Sequence, residues 1–257
     1  MNTGTITGVN GNMLSVRFES AVAQNEVGYA VLGDLRLMCE VVRIRRGEAD
    51  MQVFEDTSDL AVGGKVEFTG KLLSIELGPG LLTQVFDGLQ NPLPQLAEQC
   101  GFFLPRGTYL SALSRDTKWH FTPGVDVGAK TSAGEALGAV PEGLYSHSIM
   151  VPFAIKGECT VESIVGEGDF TVTDTVATVK DAGGQIHNVQ LMQRWPVKVP
   201  IEAYTERLRP TDPLATQIRI VDTFFPVARG GTYCIPGPFG AGKTVLQQIT
   251  SRYAQVD

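Results

Sequence analysis

Residues 237–244 read Gly237-Pro238-Phe239-Gly240-Ala241-Gly242-Lys243-Thr244. They fill every fixed position of the pattern GxxxxGK[ST], the phosphate-binding loop. A polyphosphate must be ringed by backbone N–H groups, which requires a tight loop of small residues. Gly240 and Gly242 can take backbone conformations that a Cβ disfavours, so the N–H groups can converge as an anion nest. A helix starting just after the loop adds its positive end. In such a loop Lys243 reaches the β- and γ-phosphates of the nucleotide and the Thr244 hydroxyl ligates Mg²⁺. A nucleotide polyphosphate with Mg²⁺ is therefore the expected ligand.

The flanks suit that assignment. Upstream, Thr232-Tyr233-Cys234-Ile235 is aromatic and branched and predicts a strand. Downstream, Val245, Leu246, Ile249 and Tyr253 recur at helical spacing, with Gln247, Gln248 and Arg252 on the other side. Strand, glycine loop and helix in that order make the P-loop unit. Asp222 precedes it and is better read as holding a turn before Phe224-Phe225-Pro226 than as catalytic.

Moving toward the N-terminus, the texture becomes that of strands. Residues 1–68 predict a small all-β unit, a barrel or a compact sandwich. Asn10-Gly11 signals a hairpin, after which Leu14, Val16 and Phe18 alternate with Ser15 and Arg17. Val41 to Arg45 then turns through Gly47 into Met51 to Phe54. Residues 69–112 form a connector broken at Gly78-Pro79-Gly80 and Asn91-Pro92. Residues 113–190 are again β-rich, with one alternating run from Phe170 to Val179. They resemble the barrel-like fold of lipoyl carriers in texture, without a lysine on a tight hairpin. Residues 191–257 carry a proline-rich passage and then the P-loop.

Composition narrows the function classes. The 257 residues carry a net charge of −7, which argues against a nucleic-acid reader built on a basic face. Cys39, Cys100, Cys159 and Cys234 make no CxxC, and His120, His147 and His187 stand apart, so no protein-built metal centre is expected. Glu55, Asp56 and Glu76 show no partner along the sequence and default to solvated or capping roles. The first residues lack a basic region followed by an apolar run, so no signal peptide is expected. No run approaches the ~20 apolar residues that cross a bilayer.

The loop with Pro238-Phe239 at its tip is similar to that of the catalytic A (alpha) subunits of V/A-type rotary ATPases. F-type β subunits and flagellar-export ATPases carry other residues at those two positions. The resemblance extends in order through Val53 to Ser58, Glu76 to Leu82, Phe86 to Gln90, Lys118-Trp119, Phe121 to Pro123, Gln193 to Val197 and Asp222 to Pro226. Two departures stand out: Gln217 and Asp59 occupy positions where the family is expected to have glycine.

The resemblance implies an α/β P-loop NTPase core, truncated here, preceded by an N-terminal β-barrel and carrying the 113–190 stretch as a bulge domain. It implies contacts to ATP or ADP from Gly237, Pro238, Phe239, Gly240, Ala241, Gly242, Lys243, Thr244 and Val245, with Lys243 and Thr244 in catalytic roles and Thr244 on Mg²⁺. The implied activity is ATP hydrolysis or synthesis coupled to H⁺ or Na⁺ transport. The implied partners are B subunits in an alternating hexamer, with central and peripheral stalk subunits. The setting is cytoplasmic, reaching the membrane only through the complex, with no nucleic acid. The sequence stops at Asp257, ahead of the family's catalytic glutamate, Walker B aspartate and adenine pocket, so turnover is not expected from these residues alone. A non-catalytic nucleotide-binding or assembly module of the same complex is the alternative. A Rho-type nucleic-acid motor would need an aromatic and basic platform, and the barrel offers no such cluster.

Overall fold

The hairpin signal at Asn10-Gly11 opens the first sheet, displaced by one residue. Asn10 pairs with Met13, so the turn is made by Gly11 and Asn12, with Gly11 at φ +58°. In the computed structural model, which describes residues 2–204, 206 and 208–256, the chain forms two compact units, Met1–Ala203 and Tyr204–Asp257. The outer limits of the first and last predicted domains, Met1 and Asp257, lie outside the described residues.

Six strands of the first unit close into a barrel. They are β1 (Asn2–Asn10), β2 (Met13–Phe18), β3 (Glu26–Leu32), β4 (Leu35–Arg45), β5 (Glu48–Val53) and β6 (Lys65–Leu72), in the order β1-β2-β5-β4-β3-β6. Alternation sends Leu14 and Val16 inward with Ile6, Leu37, Val41, Met51, Val66 and Phe68, all buried. Closure leaves no free sheet edge.

The connector contributes β7 (Ser74–Leu77) and a short helix, α1 (Leu93–Cys100). Two four-stranded sheets follow. Their strands are β8 (Trp119–Pro123), β9 (Lys130–Ser132), β10 (Ala136–Glu142), β11 (Tyr145–Met150), β12 (Glu158–Ile164), β13 (Gly168–Phe170), β14 (Thr175–Asp181) and β15 (Ile186–Gln190). One sheet runs β11-β10-β8-β13 and the other β15-β14-β12-β9. Leu137, Val161 and Val179 fill one core cluster, and Phe121, Val140, Ile149 and Val176 fill another. The run Phe170 to Val179 is not one strand. The Asp174 carboxylate accepts the Thr171 N–H at 2.7 Å and turns the chain between β13 and β14. A last strand, β16 (Gln193–Pro196), returns to pair antiparallel with β7.

Gly138 shows how tightly this stretch is packed. A Cβ there would lie 2.4 Å from the Phe121 ring and 2.6 Å from the Thr122 carbonyl oxygen. Neither the buried ring nor the backbone can yield freely. Gly138→Ala is expected to destabilise the first unit by about 1–3 kcal/mol, read as a lowered urea midpoint.

Candidate phosphate-binding loop

The second unit holds the P-loop motif. It contains β17 (Pro213–Leu214), α2 (Arg219–Phe224), β18 (Val227–Ala228) and α3 (Lys243–Tyr253). β17 and β18 pair antiparallel, and Gln255 N–H donates to the Ala215 carbonyl at 3.0 Å, tying the residues after α3 to those after β17. Among its described residues Thr216, Val221 and Val227 are buried.

The segment expected as the P-loop strand, Thr232 to Ile235, carries no strand pairing. A strand exists through its neighbours, and the strand before a P-loop normally lies inside a parallel sheet. Among the described residues of this unit the only sheet is the two-residue β17–β18 pair. Tyr233 and Cys234 are accordingly exposed. The α/β core inferred from the sequence is therefore not formed here; what forms is the loop and its helix.

The helix begins at the loop. Gly242 is its N-cap at φ +81°, and Gly240 lies at φ +82°. The left-handed region costs a residue with a Cβ roughly 1–2 kcal/mol, which explains two glycines at these positions. Leu246 N–H donates to the Gly242 carbonyl at 3.0 Å as the first helical bond. No side chain caps this end and no acid sits in the first turn. An anion would therefore meet free N–H groups and no carboxylate from the helix. Lys243 folds back so that its ammonium donates to the Gly237 and Pro238 carbonyls at 2.6 and 2.7 Å. Phe239 stands fully exposed at the loop tip, beside Ala241, and Thr244 and Val245 occupy the first turn of α3. The structure thus keeps Gly237 through Val245 contiguous in one loop and helix start. Small residues, an unopposed helix N-terminus, a lysine and a hydroxyl form a donor set that suits a polyphosphate and Mg²⁺.

α3 has no buried residue, and Val245, Ile249 and Tyr253 on its apolar stripe are exposed. Asp222 acts as a turn holder, on its N-terminal side. Its carboxylate accepts the Thr216 hydroxyl at 2.6 Å, the Thr216 N–H at 2.9 Å and the Gln217 N–H at 3.1 Å. These bonds, the Thr216 hydroxyl foremost, hold its carboxyl below the usual range.

The turn that Asp222 holds puts Gln217 at φ +64°. Asp59, the other position expected to be glycine, lies at φ +72°. Both departures thus fall on left-handed backbone. The Asp59 carboxylate lies 3.2 Å from the Arg106 guanidinium. Gln217→Gly is expected to stabilise the second unit by about 1 kcal/mol, seen as slower amide exchange around Thr216.

Comparison with known proteins gives the class first. The ATP synthase alpha/beta family beta-barrel domain matches residues 6–70, and the ATP synthase alpha/beta subunit barrel-sandwich domain matches residues 110–198. The chain belongs to the alpha/beta family of ATP synthase subunits.

Within it, the chain groups with the V-type alpha chains. It is 58% identical over 254 residues to the V-type ATP synthase alpha chain of Treponema denticola, covering 99% of this chain and 43% of that protein. It is 55% identical over 258 residues to that of Borreliella burgdorferi strain B31, covering 100% and 45%. The chain thus spans less than half the length of these relatives. No helix among the described residues is long and apolar enough to cross a membrane.

Proposed function

We propose that Gly237 to Val245 bind the phosphates of ATP and ADP in the catalytic subunit of a V-type rotary ATPase. The observation that carries this reading is the complete GxxxxGKT loop at the uncapped start of α3, in a chain 58% identical to a V-type ATP synthase alpha chain.

In this reading the backbone N–H groups around Gly240 to Lys243 ring the β-phosphate. Lys243 leaves the Gly237 and Pro238 carbonyls and moves to the β- and γ-oxygens. Thr244 would hold Mg²⁺, which would supply positive charge to offset that of the phosphates. Catalysis by such a loop consists of positioning and electrostatic stabilisation. The whole subunit would work in a ring with B subunits and stalk subunits, coupling ATP hydrolysis or synthesis to H⁺ or Na⁺ transport from the cytoplasmic side.

The unpaired 232–235 segment and the exposed α3 favour a second reading for residues 1–257 by themselves, as a nucleotide-binding or assembly module without turnover.

Phe239→Trp supplies the test, because Phe239 is fully exposed and a larger ring fits without repacking. Its fluorescence in the full-length subunit should change on adding MgADP and saturate. A signal that MgADP leaves unchanged would overturn the proposal.

A further inference from the structure

Glu167 and Asp169 flank Gly168, and residues two apart on extended backbone project to the same side. Between their carboxylates sits the ring of His120, on the neighbouring strand β8. Its Nε2 lies 2.9 Å from Oε1 of Glu167, and its Nδ1 lies 2.8 Å from Oδ1 of Asp169. A neutral imidazole carries one N–H and one bare lone pair, whereas an imidazolium carries two N–H donors. Two ionised carboxylates offer only lone pairs, so both bonds exist together only when the ring is a cation. His147 and His187 differ: each faces a carboxylate through one nitrogen among the described residues, a contact that one tautomer of a neutral ring can serve.

We propose that His120 is a pH-sensitive clip that fastens the edge strand β13 to β8, closed while the ring is an imidazolium and half released once it is neutral. β13 has three residues and lies at the margin of its sheet, beside β8. Asp169 is paired directly opposite His120, while Glu167 lies in the loop before the strand. When the ring loses its proton, one nitrogen turns a lone pair toward a carboxylate and that contact becomes repulsive. Glu167 is the carboxylate that can leave, because strand pairing holds Asp169. The loop ahead of β13 then loses its fastening, whereas Phe170 stays packed edge-on against Phe121 at 6.4 Å.

These two acids set the charge on the ring. Among the described residues Lys118, just before β8, makes no ion pair with either of them. On the far side of β8, β10 pairs Gly138 with Pro123 and Ala139 with Thr122, and Val140 and Pro141 follow without charge. Glu142, at the end of β10, is buried against Gly80 and His147. The bonds to Glu167 first, then to Asp169, raise the pKa of His120 above its ordinary value. The clip is therefore complete below about pH 6.5, the unperturbed histidine value, and is lost as pH rises through the higher folded value.

The experiment follows deuterium exchange by mass spectrometry in the full-length subunit, from about pH 5 to 9, a span that brackets histidine titration. Exchange at the imidazole C2 position reports the His120 midpoint. Amide protection, corrected for the intrinsic pH dependence of exchange, reports on the peptide across Glu167 to Phe170. His120 is expected to titrate above the ordinary value. Protection of that peptide should fall roughly two- to fivefold across the same midpoint, the worth of an exposed ion pair. Glu167→Gln should lower the midpoint and abolish the fall, because an amide can serve either state of the ring. His120→Gln should leave protection independent of pH. These side chains are half-exposed or more, so the variants leave the core intact. A His120 midpoint at or below the ordinary value would overturn the clip. So would constant protection across the midpoint in the wild type, or a fall that persists in His120→Gln.

Discussion

In the complex assembled from the full-length subunit, Lys243→Ala is expected to lower ATP turnover by roughly 10²–10³-fold or more, the scale on which single transition-state donors act. The argument starts from charge. The loop offers one cation at the helix start, and α3 brings no acid to its first turn. Its ammonium already sits 2.6 and 2.7 Å from two loop carbonyls, so it is within the loop's own radius before any phosphate arrives. Alanine would leave the nest and the helix end in place, so binding should weaken less than turnover does. Lys243→Arg keeps the charge but not the compact point donor and should restore little. Steady-state phosphate release by wild type and both variants checks this, and unchanged turnover in Lys243→Ala would remove the loop from the chemistry.

The second large effect belongs to stability. Glu76→Ala is expected to destabilise the first unit by about 3 kcal/mol, the low end of the range for breaking a buried ion pair. Glu76 on β7 is 8% exposed. Its Oε1 accepts from Arg115 at 2.5 Å and from Arg194 on β16 at 2.8 Å, and its Oε2 from Leu113 N–H at 3.3 Å. Burial pushes the carboxyl pKa up, but the bonds from Arg115 and Arg194 outweigh it and hold it below the ordinary value. A depressed carboxyl stabilises above its unfolded pKa, ~4.3, and its contribution is lost as pH falls through the folded pKa. The wild type should therefore weaken on acidification through that window, and Glu76→Ala should show less of this loss. Arg194 is largely exposed and can rehydrate, which limits the effect. Urea unfolding followed by Trp119 and Trp195 fluorescence reads the first unit alone, since both lie in it.

Glu76 also marks what the sequence conceals. Its partners lie 39 and 118 residues away, and no spacing rule connects them, so it read as a solvated or capping acid. Asp174 was invisible for a different reason. A four-residue turn inside a run of β-branched residues leaves the alternation unbroken, and only the Asp174–Thr171 bond reveals it. The barrel strands were legible because a half-buried strand must alternate, as Leu14, Val16 and Phe18 do. The helix start at Lys243 was legible because its signals are local: glycines that take left-handed backbone and an apolar spacing of three and four after them. The strand before it was not, because Thr232 to Ile235 can pair only with segments far away in sequence. Gln217 and Asp59 sit between these cases. Both lie on left-handed backbone, which neither residue type reveals by itself.

The most direct measurement is calorimetric titration of MgADP into the full-length subunit, wild type beside Lys243→Ala. The account predicts saturable binding by the wild type and an affinity lower by about tenfold to a hundredfold in the variant, the worth of a charge-assisted hydrogen bond. Equal affinity in the two proteins, or no binding by the wild type, would contradict it.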